Sequence, residues 1–463
     1  MNPMDLRAAA PSSFLRHPGT VIAYGDHGPV PAQQFESQVA NLATRLRARG
    51  ERRWALVCDD SLNFAAGLQA LLGARKTVVL PHAPQPVSVK AIQPAVDALL
   101  SDAPERFTAI PGLSTDAVAD AAVASPGPDP DSHVEFYTSG SSGEPKRVVK
   151  TYGQLQTEVE SLEDFWGARL GAAVILATVP HYHLYGLLFR VLWPLHAGRP
   201  LYRRTLLQPL ELVEAGRRFP RTAVVSSPAF LTRVADFHAD FPPRDRLAAV
   251  FSSGAPLPRV AAERAHAGLG LPVHEIYGST ETGGIAWRTC EPSGGDAGWQ
   301  PLPRVETEVR AVDSAQLQLW VRSPWSAGAG WMPTGDLAER ATDGRFTLKG
   351  RADTLVKLED KRVSLAELSR WLAGHEWVAE ARLTLVAGKR TVIGAAVVLN
   401  EAGRCALDAQ GARTVRSALS QICLARYDAV LTPRKWRFVE TLPVNAMGKI
   451  TDAALQALFT RPA

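Results

Sequence analysis

Cysteine is scarce in this sequence, with four in 463 residues: Cys58, Cys290, Cys405 and Cys423. They lie far apart, with no CxxC pair, which excludes a disulfide framework and a structural zinc site and suits a reducing, cytoplasmic setting. Long hydrophobic runs are also missing. The longest are Ala172–Val179, which is short, and Leu184–Leu195, which Arg190 interrupts, so neither is expected to span a bilayer. Met1–Arg16 has no sustained apolar stretch of the signal-peptide kind. No internal repeat stands out. The formal charge of +5 is small and the arginines are scattered, which argues against a nucleic-acid groove and favours an acidic ligand or partner. What is present is globular: 46% hydrophobic and 21% charged residues exclude a disordered, collagenous or coiled-coil chain.

The first third alternates short apolar strands with helices. Trp54–Cys58 and Thr77–Leu80 read as buried strands on either side of a helix over Asn63–Leu72. The alternation continues through Val134–Tyr137, Ala173–Val179, Thr222–Ser226, Ala248–Ser252 and Val273–Tyr277, which implies parallel sheets with covered faces. From Val305 the pattern changes to period-two strands at Glu306–Val312, Gln316–Val321 and Phe346–Lys349, as in a small antiparallel subdomain. Beyond Arg351-Ala-Asp353 helices are expected near Leu365–Leu372 and Ala409–Leu424. The expected fold is therefore α/β: a large N-terminal domain (1–352) of layered, mostly parallel sheets with helices and a small antiparallel β subdomain. A hinge and a small mobile α+β C-terminal domain (353–463) follow it.

The most distinctive local signal is Tyr137-Thr-Ser-Gly-Ser-Ser-Gly-Glu-Pro-Lys146, directly after an expected strand. Glycines let backbone amides approach an anion, hydroxyls add donors, and Lys146 adds a point charge. The P-loop spacing is absent. Alone, the segment reads equally as a phosphate cradle or a flexible linker.

Further segments follow in order: Glu275-Ile-Tyr-Gly-Ser-Thr-Glu281, Pro333-Thr-Gly-Asp-Leu337, Gly350-Arg-Ala-Asp353 with Val356-Lys357, and Leu442-Pro-Val-Asn-Ala-Met-Gly-Lys-Ile450. Over nearly the whole chain this co-linear set resembles the adenylate-forming superfamily of acyl- and aryl-CoA synthetases, peptide-synthetase adenylation domains and firefly luciferase. The resemblance implies ATP and Mg²⁺, with Thr138, Ser139, Gly140, Ser141, Ser142, Gly143 and Lys146 around the phosphates. It gives Tyr277 an aromatic face for adenine and Gly278 a close backbone approach, with Ser279 and the Thr280 hydroxyl beside them. Glu281 becomes the hard oxygen ligand of the metal. Gly254, Ala255 and Pro256 correspond to the stretch whose backbone lies over adenine, and Asp336 and Arg351 to the ribose contacts. Taken singly, Tyr277 reads as a core aromatic, Glu281 as a surface carboxylate and Asp336 as a turn former.

Lys449 matches the lysine of the first half-reaction. A carboxylate attacking the α-phosphate brings two anions together, and a lysine bridging them offsets the repulsion and stabilises the transition state. His183, in Pro180-His-Tyr-His-Leu-Tyr-Gly186, matches the aromatic–His motif at the carboxylate pocket. Ser226, Ser227, Ser252 and Ser253 put small polar residues near that pocket.

Two positions depart from the family pattern. Arg147 replaces the glycine after Pro-Lys. Asp360 stands three residues after Lys357, where the family has glycine beside the pantetheine arm, and its charge counts against the polyanionic coenzyme A. With its short length and the segments Gly73–Pro81, Asp97–Asp102 and Glu359–Leu365, the chain is most similar to the compact aryl-acid ligases of xanthomonadin and aryl-polyene pigment clusters. That likeness implies loading of a hydroxybenzoate or related aryl acid onto an acyl carrier protein. Lys361, Arg362, Arg382, Lys389, Arg390, Arg434, Lys435 and Arg437 are candidate contacts for such an acidic carrier. The alternatives are an aryl- or acyl-CoA synthetase using free coenzyme A, and a catalytically silent nucleotide-binding relative.

Overall fold

The structure is a computed structural model that describes residues 19–116, 127–138, 146–234, 244–289, 298–313, 316–352, 355–358, 361–388, 390–443, 450 and 452–460. The chain divides into two compact units, Met1–Glu306 with Arg322–Trp331, and Thr307–Val321 with Met332–Ala463.

Two sheets build the first unit. In the larger, the described strands run in the order Gln300–Pro301, Gly283–Thr289, Val273–Ser279, Leu247–Ser252, Thr222–Ser226, Val174–Ala177, Leu201–Tyr202, Val21–Gly25 and Gly28–Pro31. Its middle is parallel and its two edges antiparallel. The second sheet runs Gly112–Ser114, Ala98–Ser101, Arg53–Val57, Thr77–Leu80, His133–Thr138 and Lys146–Thr151, and only its last pair is antiparallel. Central strands such as Val174–Ala177 and Thr222–Ser226 are buried at every residue, as parallel strands covered on both faces must be. The expected α/β architecture of mostly parallel sheets is therefore present.

The helices start where the sequence caps them. Asp60 accepts hydrogen bonds from the Leu62 and Asn63 amides at the head of Ser61–Gly73. Thr151 and Gln154 form a reciprocal capping box on Tyr152–Leu170. The apolar run around Arg190 is helical from Leu184–Gly186 through a π-helical stretch, Leu187–Leu192, to Trp193–Ala197. Gly186 is forced there: a Cβ would lie 1.9 Å from the Pro180 carbonyl oxygen.

In the second unit, the antiparallel sheet Glu306–Asp313, Gln316–Arg322, Met332–Arg340 and Phe346–Arg351 matches the expected β subdomain. One detail differs. Asp336, which taken singly reads as a turn former, lies inside the strand Met332–Arg340. Further on, Val378–Val386, Val392–Leu399 and Lys435–Phe438 form a sheet packed with Leu365–Ala373 and Glu401–Leu424. The latter helix begins eight residues before the expected Ala409 and breaks at Gly411, whose φ is 77°. The hinge residue Asp353 lies outside the described residues. Among the described residues, no helix is long and apolar enough to cross a membrane.

Candidate functional site

The parallel strands Leu247–Ser252 and Val273–Ser279 end side by side, with Ser252 in register with Glu275. Ligands of open α/β sheets gather at such carboxyl ends. Tyr277 is half-buried at the end of its strand, its ring 5.4 Å from that of Trp299. A Cβ on Gly278 would fall 2.2 Å from the Gly283 carbonyl oxygen, so tight packing inside the chain already calls for glycine. The loop holding Gly254, Ala255 and Pro256 is tied down at both ends. Ser253 Oγ donates to the Ile276 carbonyl at 2.9 Å, and the Leu257 amide donates to Glu275 Oε2 at 3.0 Å.

Thr280 and Glu281 sit on the turn that follows Ser279. Ser279 and Thr282 close this turn through mutual hydrogen bonds. Glu281 Oε1 accepts a hydrogen bond from Lys146 Nζ at 2.5 Å, although 135 residues separate them in sequence. Partial burial opposes ionisation of Glu281, but the Lys146 hydrogen bond and charge outweigh it and hold the carboxyl below its usual range. Thr138 pairs with Lys146 across the hairpin, its Oγ1 donating to the Lys146 carbonyl at 3.3 Å. The foot of the Ser/Gly loop is thus fixed beside the carboxylate, while Ser139, Gly140, Ser141, Ser142 and Gly143 lie outside the described residues.

His183 is half-buried at the head of the helical run, its ring 4.6 Å from Tyr182. Its neighbour His181 is buried: Nε2 donates to the Cys58 carbonyl at 2.8 Å and Nδ1 meets Ser61 Oγ at 3.2 Å. A carbonyl only accepts, so the proton belongs on Nε2. Burial, with Arg190 nearby, lowers this imidazole to about 3. Small polar groups gather at the central strand ends, where Thr178 Oγ1 and Ser226 Oγ are 2.9 Å apart. Ser252 Oγ and the Tyr185 hydroxyl are buried there without a hydrogen-bond partner among the described residues.

In the second unit, Asp336 and Arg351 face each other in register across neighbouring strands. The Asp336 amide donates to Thr334 Oγ1 at 3.1 Å. Lys449 and Asp360 lie outside the described residues.

Sequence reasoning passed over two residues, Lys150 and Glu158. Lys150, 1% exposed, donates through Nζ to the carbonyls of Trp325 (2.6 Å) and Glu281 (3.3 Å). Burial lowers its pKa against the pull of Glu158 and Glu281. Glu158, also 1% exposed, accepts from the Gly284 amide at 2.7 Å, and burial raises it to about 7 against the pull of Lys150. The missed signal is a lysine two residues after Val148, at an inward position of a strand.

Residues 81–328 match the model of the AMP-binding enzyme family. The chain is 30% identical over 319 residues to the 4-coumarate–CoA ligase of Rhodobacter capsulatus, covering 68% of this chain and 74% of that one. It is 25% identical over 448 residues to the 2-succinylbenzoate–CoA ligase of Lactococcus lactis, covering 91% and 95%. The fold matches the O-succinylbenzoate coenzyme A synthetase of Bacillus subtilis solved in complex with AMP, with a TM-score of 0.77, 20% identity, and 96% and 98% coverage. The chain belongs to the AMP-binding enzyme family, as an AMP-forming acid–thiol ligase.

Proposed function

We propose that the chain adenylates an aryl carboxylic acid, a hydroxybenzoate in particular, at the expense of ATP. It then transfers the acyl group to the phosphopantetheine thiol of an acyl carrier protein, in the cytoplasm and in the service of pigment synthesis. The carrying observation is the Lys146–Glu281 pair, which joins the foot of the Ser/Gly segment to the turn after the Tyr277 strand. In this reading the loop and Lys146 hold the phosphates, Tyr277 and Gly254–Pro256 flank adenine, and Asp336 and Arg351 take the ribose. His183 serves the acid's carboxylate.

Glu281 fits Mg²⁺: it is a half-exposed carboxylate kept ionised, and no group of three acidic, His or Cys side chains suited to a metal occurs among the described residues. Mg²⁺ is commonly held by one or two carboxylates together with substrate phosphates, and it would neutralise phosphate charge here. Lys449 bridges the attacking carboxylate and the α-phosphate, carried by a lid that begins at 353.

Free coenzyme A is the second reading, favoured by relatives named as CoA ligases. Against it stands the negative charge of Asp360, while the exposed cations Arg390, Arg434 and Lys435 suit an acidic carrier. Two other candidate cations have local partners. Arg382 pairs with Glu380 at 3.3 Å, and Arg437 donates to the Leu458 carbonyl at 3.0 Å. The test is pyrophosphate release with benzoate, hydroxybenzoates, cinnamates and short fatty acids, followed by acyl transfer to a holo-carrier protein or to coenzyme A at matched concentration. Faster transfer to the carrier, slowed by added salt, is expected. Equal or better turnover with coenzyme A, insensitive to salt, would decide for the second reading.

A further inference from the structure

We propose that Lys150 and Glu158 form a buried brace that sets the position of Glu281, making them positioning residues for uptake of the metal–nucleotide complex. The proposal rests on the ligase reading above. The turn that presents Glu281 is held at its backbone from two sides. Lys150 Nζ grips the Glu281 carbonyl, which also accepts from the Ala327 amide at 2.8 Å. Two residues beyond the turn, the Gly284 amide donates to Glu158 Oε1 and the Gly284 carbonyl accepts from Trp325 Nε1 at 3.1 Å. Between these anchors, Gly283 has φ 71°, and a Cβ on it would lie 2.4 Å from Trp325 Cδ1 and 2.5 Å from Glu158 Oε2. The brace therefore surrounds the turn closely enough to exclude a side chain.

Lys146 and Lys150 are four residues apart on one strand and so share a face. The first holds the carboxylate of Glu281 and the second holds its carbonyl. A buried ammonium is costly to desolvate, whereas an apolar side chain of similar volume would fill the space without that cost. Glu158 is costly in the same way, since its Oε2 is buried without a hydrogen-bond partner among the described residues. The return on both is a fixed turn, which places one carboxylate against one lysine.

The test uses the full chain with Lys150→Met and Glu158→Leu, and with Glu158→Gln, which keeps an acceptor for the Gly284 amide. Hydrogen exchange is followed without ligand in a peptide spanning residues 279–284, and binding of ATP with Mg²⁺ and of AMP without metal is measured by calorimetry. Losing a hydrogen bond to a buried charged group should speed exchange in the turn, and weaken ATP–Mg²⁺ binding, by roughly tenfold. AMP affinity and the exchange of the central strands should stay unchanged, and Glu158→Gln should restore both properties. Unchanged turn exchange in Lys150→Met and Glu158→Leu overturns the brace. A loosened turn with intact ATP–Mg²⁺ affinity, or with AMP affinity falling in step, overturns the positioning role. Wild-type protein that binds neither nucleotide overturns the ligase reading and the positioning role with it, while the exchange result still judges the brace.

Discussion

His181 and His183 look alike in the sequence, two residues apart in one polar segment, but burial separates them. His181 is held neutral between Cys58 and Ser61, with its imidazole lowered to about 3. Between that value and the ordinary 6.5, the unfolded chain binds a proton that the folded chain refuses. The stability His181 contributes is therefore complete above about pH 6.5 and is lost as pH falls toward 3, at up to about 1.4 kcal/mol per unit. His181→Gln should flatten the fall in melting temperature between pH 6.5 and 5 relative to wild type. Parallel curves for the two proteins would remove His181 from the acid response. At this scale the sequence singled out Glu281 and Lys146 by their motifs, and the structure brings the two together. The sequence was opaque where tertiary packing decides, as at Lys150 and Glu158, because a strand one residue out of register would turn the same lysine toward solvent.

Apolar runs bounded by turn residues located the buried strands to within a residue or two, since continuous burial leaves a continuous pattern. The strand Lys146–Thr151 was harder to see, because three of its six residues are basic. The helix Glu401–Leu424 shows the opposite problem: Gly411 breaks its regularity, and a reading by period finds only the half beyond the break. The helical run over 184–197 carries a sharper constraint in Gly186, against the Pro180 carbonyl. Gly186→Ala should displace the entry to this helix, and with it His183. Overpacking of this kind costs about 1–3 kcal/mol. A melting temperature within about a degree of wild type would show that the Pro180 segment yields without cost.

On the scale of the whole molecule, co-linearity made the family readable. Each motif alone is ambiguous, but their order along the chain is not, and the fold and the AMP-binding match agree with it. What the sequence could not supply is which polar groups meet at the central strand ends, since Thr178 and Ser226, 48 residues apart, come together only on folding. Lys449, outside the described residues, is assigned to the first half-reaction by its motif alone. Lys449→Ala should slow pyrophosphate exchange by about a thousandfold or more while leaving ATP affinity nearly unchanged, because its charge matters when two anions meet. Exchange near the wild-type rate would remove it from the reaction. The interleaving of the two units also matters for anyone dividing the gene. The path leaves the first unit after Glu306 and returns for Arg322–Trp331, so the first unit is not one uninterrupted stretch of codons. A fragment stopped at 306 would lack Trp325, whose backbone and indole both bind the surroundings of Glu281. A stop codon at 353 would keep that strap and all four strands of the antiparallel sheet.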